Sequence, residues 1–307
     1  MRTDVTFTSN GLKISGHLHL PQTIAAADTA TPAPAVVVGH PGTGVKEQAA
    51  GLYAGRLAAA GFIALAFDAA YQGESQGEPR GLEDPAQRVE DLKSAVSFLT
   101  THPAVDPDRI GVLGICASDG YGLTAAATDH RIRAVATVSG VDIARQFKVG
   151  ADGTQDPALF QSLLDAAAAA RTAEARGEGG QTFSLFPATA QEAELGGPHA
   201  FEGWEYYCTP RAAHERSAKT LTWSSVDRIA TFDGLATVSL IAPRPLLLIA
   251  GRQAVTSWMS VHAFQNATGP KELHWIDGAS HVDLYDKDEY VTPAIAKLAE
   301  FYTANLV

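Results

Sequence analysis

The chain has 307 residues, of which 46% are hydrophobic, and it carries a formal net charge of -11. This composition is sufficient for one large core, and an acidic balance without a basic run excludes binding along a phosphate backbone, so no nucleic-acid partner is expected. No apolar segment approaches the roughly 18 residues of a membrane span. The N-terminus has no apolar run and the only cysteines are Cys116 and Cys208, which argues against a secretory signal or a disulfide scaffold and predicts a cytoplasmic protein without membrane association.

The N-terminal segment predicts a β-hairpin, because polar and apolar residues alternate on both sides of Asn10-Gly11. Such a dipeptide is typical of two-residue hairpin turns. The stretch that follows, QTIAAADTATPAPA at residues 22–35, is rich in alanine, threonine and proline and predicts a surface loop.

Five short apolar runs come next, each ending in a small or polar residue: AVVVGHPG, FIALAFDA, RIGVLGIC, RAVATVSG and RPLLLIAG. Continuous rather than alternating apolarity indicates strands that are buried on both faces, as in a parallel sheet. Helical patterns separate the first three runs. We therefore predict an α/β fold with a predominantly parallel, doubly wound sheet.

The rhythm of strand and helix breaks between residues 143 and 239, where no comparable apolar run occurs. A helical, alanine-rich stretch and an aromatic, polar stretch take its place, and no linker-like composition separates them from the rest. We expect one domain over residues 1–307, with residues 143–239 inserted as a helical cap over the strand ends.

The segment RIGVLGICASDGYG places Cys116 between small residues, with Gly114 two positions before it and Ser118 two positions after it. A nucleophile on a strained strand-to-helix turn needs this spacing, because a large flanking side chain would collide with the neighbouring strand or helix. Cys116 is the candidate nucleophile, and the following helix N-terminus is expected to lower its thiol pKa. A second register, with Ser118 at the apex, is the poorer alternative, and an inert buried thiol is the non-functional one.

Among the 10 histidines, His281 is the candidate base, because it lies in the loop after the last predicted strand. His40 follows the first buried strand and is expected to order its own loop. Next to it, Pro41 has no N–H, so Gly42 is the expected backbone donor there. Ala117 would supply a second donor, and two such N–H groups can hold an oxyanion.

At this point the chain resembles the α/β-hydrolase superfamily, in particular dienelactone-hydrolase-like proteins and the bacterial hydrolases grouped with fungal polyketide transferases. The likeness runs from about residue 36 to 290 and is carried by HPGTGVKEQAAGLYA, FDAAYQGESQGEPRGLEDPAQRVED, GICAS, WSSVDRIATFD, LIAPRPLLLIAG and GASHVDLYD. It implies the α/β-hydrolase fold, Cys116 as nucleophile, His281 as base, and Gly42 and Ala117 as oxyanion donors.

Two positions depart from the pattern of these proteins. Asp119 stands where they usually have glycine, and Val255 stands where they usually carry the acid of a catalytic triad. Valine cannot accept the hydrogen bond that fixes the histidine tautomer. Asp142 is the first candidate to replace the acid, although a helix cap is an equally good role for it. Asp283 is expected to point away from the histidine.

Asp119 lies in the first turn of the predicted helix, where it can cap backbone N–H groups or lean towards the pocket. In the pocket it would face the substrate as a catalytic acid or base, or as an anchor for a cation. If it leans in, its charge should raise the thiol pKa of Cys116 and disfavour anionic substrates.

Two functions follow as hypotheses. The first is a cofactor-independent hydrolase or acyltransferase that attacks an ester, lactone or thioester through Cys116 and His281. Its partner would be a small acyl substrate, such as a biosynthetic intermediate. The second is a degraded hydrolase that acts as a binding scaffold or as a non-covalent catalyst of cyclisation or proton transfer. No HExxH, paired CxxC, Walker or GxGxxG motif occurs in the sequence, so no metal or nucleotide cofactor is predicted.

Overall fold

The computed structural model describes residues 1–22 and 31–307. Eight strands form the main sheet: β1 (Arg2–Ser9), β2 (Leu12–His19), β3 (Ala33–Gly39), β4 (Ile63–Phe67), β5 (Val105–Ile115), β6 (Ile132–Val138), β9 (Leu246–Gly251) and β10 (Lys271–Ile276). Two three-residue strands, β7 (Thr182–Ser184) and β8 (Thr220–Thr222), pair separately. Most of the loop predicted at residues 22–35 lies outside the described residues.

The helices of the described chain are α1 (Ala49–Ala59), α2 (Pro85–Thr100), α3 (Ser118–Thr128), α4 (Ile143–Val149), α5 (Pro157–Ala175), α6 (Ala190–Leu195), α7 (Pro198–Cys208), α8 (Ser224–Ala230), α9 (Ser257–Asn266), α10 (Asp283–Asp286) and α11 (Asp288–Leu306). A 3₁₀ helix covers Leu235–Ile241. In this part of the chain, no helix is both long and apolar enough to cross a membrane.

The sheet has the strand order β1-β2-β4-β3-β5-β6-β9-β10. β1, β2 and β4 pair antiparallel, and every pair from β4 to β10 is parallel. The predicted hairpin is confirmed, with Asn10 at φ 45° and Gly11 at φ 81°, the left-handed conformation that such a turn requires. The fold is the α/β-hydrolase fold, as predicted.

The core lies on both faces of the sheet, which is why the central strands are apolar throughout. In β3, Val37 packs into the cluster that contains Leu92 of α2, whereas Val36 and Val38 pack into the cluster that contains Leu57 of α1. Successive side chains of a strand point to opposite faces, so helices on both sides require an unbroken apolar run.

Between β6 and β9 the chain leaves the sheet and forms α4 to α8 together with the short pair β7–β8. β5, β6, β9 and β10 run parallel, so their carboxyl ends meet at one edge of the sheet. Loops after parallel strands build the ligand site of such folds. Cys116 directly follows β5, and His281 lies in the loop that follows β10.

Candidate active site

Cys116 occupies the apex of the turn from β5 to α3, with φ 55°. The turn is tight enough that a Cβ on Gly114 would lie 2.2 Å from the Ser118 carbonyl oxygen, so only glycine fits there. Ser118 is buried in the first turn of α3 and donates its hydroxyl to the His40 carbonyl at 2.6 Å. The register with Ser118 at the apex is therefore wrong, and Cys116 is the residue of the turn that lines the cavity described below.

A cavity of about 690 Å³ opens over this turn, and it is lined by Cys116, Ala117, Gly42, His281 and Tyr285. The predicted nucleophile, base and oxyanion donors thus line one space. Its remaining wall comes largely from the segment between β6 and β9, including Phe147, Leu185, Phe186, Pro198, His199 and Tyr207.

The thiol of Cys116 is uncharged in its resting environment. Burial raises its pKa above the ordinary value, and the Tyr285 hydroxyl and the N–H groups of Ala117 and Gly42 oppose that rise only in part. The expectation that the helix N-terminus lowers this pKa is corrected, because desolvation outweighs the helix and its N–H groups. The same two N–H groups lie beside the sulfur, where an oxyanion formed by its attack would need donors.

His281 is 2% exposed and is held at both ring nitrogens. Its Nδ1 lies 2.6 Å from Thr256 Oγ1 and its Nε2 lies 2.9 Å from the Tyr285 hydroxyl. Burial, assisted by the neighbouring His199, holds the pKa of His281 well below its usual range. The imidazole is therefore neutral, and we assign the proton to Nδ1, so that Nε2 accepts from Tyr285.

Tyr285 lies between the candidate nucleophile and the candidate base. Its hydroxyl contacts Nε2 of His281 and also interacts with the Cys116 sulfur. Within the described residues, no direct hydrogen bond joins the sulfur to His281. A proton that leaves the thiol can thus reach the imidazole through the tyrosine hydroxyl, a role that the sequence did not indicate.

The family model described as "Dienelactone hydrolase family" matches residues 21–162. The uncharacterized protein YcjY of Escherichia coli is 38% identical over 312 residues, which span 100% of both chains. This chain belongs to the dienelactone hydrolase family. It is an enzyme with the α/β-hydrolase fold.

Two further relatives support this assignment. The thiohydrolase aneE of Aspergillus aculeatus is 27% identical over 89% of this chain and 84% of its own. The crystal structure of a hypothetical protein, PA2218 of Pseudomonas aeruginosa, matches with a TM-score of 0.91 at 33% identity, over 100% of this chain and 94% of that one.

The triad acid of related proteins has no carboxylate counterpart here. Val255 lines the cavity and is 38% exposed, while its neighbour Thr256 supplies the oxygen that faces Nδ1 of His281. A hydroxyl can accept this hydrogen bond and so fix the tautomer, but it carries no charge to stabilise an imidazolium. Thr256 carries a hydroxyl and no carboxylate, so the sequence did not indicate it as a replacement for the acid.

The expectation that Asp142 orients the histidine is corrected. Asp142 caps α4, and its two carboxylate oxygens accept from the N–H groups of Arg145 at 2.9 Å and Gly234 at 2.6 Å. Both oxygens are used locally, so the carboxylate does not contact His281. Asp283 pairs with Lys287 at 2.6 Å and accepts from the Ser280 N–H at 3.1 Å, as expected for a carboxylate that points away from the site.

Asp119 takes neither of its two expected positions. It is fully buried, it does not line the cavity, and neither carboxylate oxygen has a hydrogen-bond partner among the described residues. Its pKa is raised to about 7, chiefly by burial and in smaller part by the nearby Asp142, while the Thr137 hydroxyl opposes the rise. The carboxyl group is packed against the loop after β6, because a Cβ on Gly140 would lie 2.6 Å from Asp119 Oδ1.

The helix α7 connects the cavity wall to the loop that carries Gly42. The Tyr206 hydroxyl accepts from the N–H of Ala49 at 3.0 Å, and the Tyr207 hydroxyl donates to the Gly42 carbonyl at 3.3 Å. Helix α7 is thus hydrogen-bonded to the loop that carries Gly42 and to the start of α1. Over residues 1–22 and 31–307, no cluster of three or more histidine, cysteine or acidic side chains is arranged to hold a metal ion.

His40 orders its own loop, as expected. Its Nδ1 donates to the Pro41 carbonyl at 2.7 Å and its Nε2 accepts from the N–H of Ala69 at 3.0 Å. With both nitrogens engaged, it is not available as a base.

Proposed function

We propose that this protein is a cofactor-independent acyl-transfer enzyme that uses Cys116 as nucleophile on an ester, lactone or thioester. The observation that supports it best is the cavity of about 690 Å³, which brings together the thiol at a strained turn, two backbone N–H groups and a neutral imidazole. The fungal thiohydrolase among its relatives supports an acyl substrate of this kind.

In the proposed reaction, the carbonyl oxygen of the substrate lies between the N–H groups of Gly42 and Ala117. The sulfur attacks the carbonyl carbon while its proton passes through the Tyr285 hydroxyl to Nε2 of His281. Thr256 accepts from Nδ1 throughout and keeps the ring in place. The leaving alcohol or thiol then takes the proton, and the acyl group remains on Cys116 as a thioester.

The thiol of Cys116 and the imidazole of His281 are both uncharged before substrate binds, so the thiol must be deprotonated during the reaction. A raised thiol pKa and a lowered histidine pKa disfavour a preformed thiolate–imidazolium pair. The proton must therefore leave the sulfur during the attack, when the developing oxyanion is stabilised by the two N–H groups.

The lining of the cavity supports a neutral and largely apolar acyl group as substrate. Among the residues that line it, Asp152 is the one acidic side chain, and neither lysine nor arginine contributes. A free carboxylate on the substrate would find no cation there. We propose that residues 143–239 act as the cap that encloses this acyl group, since they supply most of the apolar wall.

The test is intact mass spectrometry after incubation with p-nitrophenyl butyrate or hexanoate. We expect the mass of one acyl group to be added to the wild type and to Cys208→Ala, and no addition to Cys116→Ala. Cys208 is the only other cysteine, so its variant is the matched control. Labelling that persists in Cys116→Ala would contradict the proposal.

The second candidate is a non-covalent catalyst or binding scaffold. It is favoured by the hydroxyl of Thr256 in place of a carboxylate and by the raised thiol pKa of Cys116. It predicts that Cys116→Ala keeps full activity on the substrate, whereas the acyl-transfer proposal predicts that this variant is inactive.

A further inference from the structure

A second histidine lines the same cavity, next to His281. His199 lies at the start of α7 and lines the cavity together with Cys116 and His281. Its ring stands edge-on to the ring of His281, with centroids 5.2 Å apart and an interplanar angle of 88°. Two imidazoles therefore border the space in which an acyl group on Cys116 would lie.

His199 is paired with a carboxylate. Its Nδ1 lies 2.7 Å from Oε1 of Glu202, one turn further along α7, and the side chains are 27% and 14% exposed. The other oxygen of Glu202 accepts from the Ser280 hydroxyl and, at 3.2 Å, from the N–H of Val282. Glu202 is thus held by the loop that carries His281, and it holds His199 in turn.

The pairing fixes which atom of His199 is basic. With Nδ1 donating to a carboxylate, the lone pair lies on Nε2, and Nε2 makes no hydrogen bond within the described chain. A carboxylate partner also stabilises the imidazolium that forms when Nε2 takes a proton. His281 differs from His199 at both ring nitrogens. Its Nδ1 faces an uncharged hydroxyl, that of Thr256, and its Nε2 already accepts a hydrogen bond from Tyr285.

We propose that His199, positioned by Glu202, is the general base that activates the acceptor in the second half of the reaction, when water or an alcohol removes the acyl group from Cys116. This inference rests on the proposed function. His281 and Tyr285 serve the first half, in which the thiol loses its proton. His281 is 2% exposed, so it is poorly placed to meet an acceptor that enters through the cavity.

The proposed step balances as follows. Nε2 of His199 takes the proton of the acceptor O–H while that oxygen bonds to the thioester carbonyl carbon. The oxyanion then collapses, the carbon–sulfur bond breaks, and the electron pair stays on the sulfur of Cys116. The proton returns from His199 to the sulfur, which restores the thiol and releases an acid or an ester.

The two half-reactions can be separated in a stopped-flow experiment with p-nitrophenyl hexanoate. Release of nitrophenolate in the first turnover measures acylation, and the decay of the acyl-enzyme mass measures deacylation. His199→Gln should retain the burst and slow the decay by about 10²- to 10⁴-fold, the range of general base catalysis. His130→Gln is the matched control, because His130 is exposed at the amino end of β6, on the opposite edge of the sheet.

Two further measurements distinguish a base from a structural support. Imidazole added to His199→Gly should accelerate the decay in proportion to its concentration and leave acylation unchanged. Glu202→Gln should slow deacylation and leave acylation unchanged, because the carboxylate no longer holds Nδ1 of His199 and no longer stabilises the imidazolium.

The outcomes separate this inference from the proposed function. A wild type without a burst dependent on Cys116 overturns both. A normal burst followed by wild-type decay in His199→Gln overturns the role of His199 alone. An equal loss of acylation and deacylation, without rescue by imidazole, also overturns it, because the effect would then come from a disturbed cap.

Discussion

Asp119→Asn tests how a buried carboxyl group behind the Cys116 turn controls the pH dependence of stability. Asp119 is fully buried, without a hydrogen-bond partner among the described residues, and its pKa of about 7 compares with an ordinary value of 3.8. Asparagine has nearly the same shape and stays neutral. The substitution therefore removes the charge while keeping the packing against the loop after β6.

The sign follows from proton binding. Between about pH 4 and pH 7 the folded chain keeps a proton on Asp119 that the unfolded chain releases, so the wild type loses stability as the pH rises through this window. Each unit of pKa difference corresponds to 1.36 kcal/mol, so about three units give about 4 kcal/mol. Asp119→Asn should match the wild type near pH 4 and exceed its free energy of unfolding by about 4 kcal/mol at pH 8.

The measurement is urea unfolding followed by tryptophan fluorescence from pH 4.5 to 8.5. Asp165→Asn is the matched control, because Asp165 is exposed on α5, and its curve should follow the wild type. If wild type and Asp119→Asn give parallel curves over the whole range, the carboxyl group is ionised at little cost and the reasoning fails.

Three predictions concern the site itself. Thr256→Val should slow acylation of Cys116 by about 10- to 100-fold, since Nδ1 of His281 loses its acceptor and the tautomer is no longer fixed. Thr256→Ser keeps the hydroxyl and should retain most of the wild-type rate, so equal rates in the two variants would contradict this. Tyr285→Phe should reduce the rate of the nitrophenolate burst by about 10²-fold, the lower end of proton-transfer catalysis. A burst at the wild-type rate would show that the tyrosine is not part of the proton path. Iodoacetamide should alkylate Cys116 at a rate that still rises above pH 9, because burial raises the thiol pKa; Asp119→Asn should give a superimposable curve, and a faster one would reveal coupling between the two groups.

Most of the scaffold was predictable because each local signal agreed with the global fold. Unbroken apolar runs predicted strands covered on both faces, and Asn10-Gly11 predicted the antiparallel hairpin at the edge. The small residues around Cys116 predicted the tight strand-to-helix turn, since a Cβ on Gly114 would lie 2.2 Å from the Ser118 carbonyl oxygen.

The proposed proton path was not predictable, because its partners come from separate loops and carry no motif. Thr256 and His281 are 25 positions apart and meet only when β9 and β10 pair. Tyr285 looked like one aromatic residue among many. The direction of Asp119 was equally open, because a residue in the first turn of a helix can face the pocket, the solvent or the sheet, and packing decides among them.

The bonds made by α7 have a consequence for how this enzyme can diversify. Inserted segments above a sheet ordinarily vary with little effect on the chemistry below them. Here one helix of 11 residues carries His199 and Glu202 and also bonds the loops of His281 and Gly42. Under the proposed function, a transplanted or redesigned segment over residues 143–239 would therefore alter the proposed reactive groups together with the proposed acyl pocket. New substrates would then be gained more readily by changes in α4 and the β7 region than by exchange of α7.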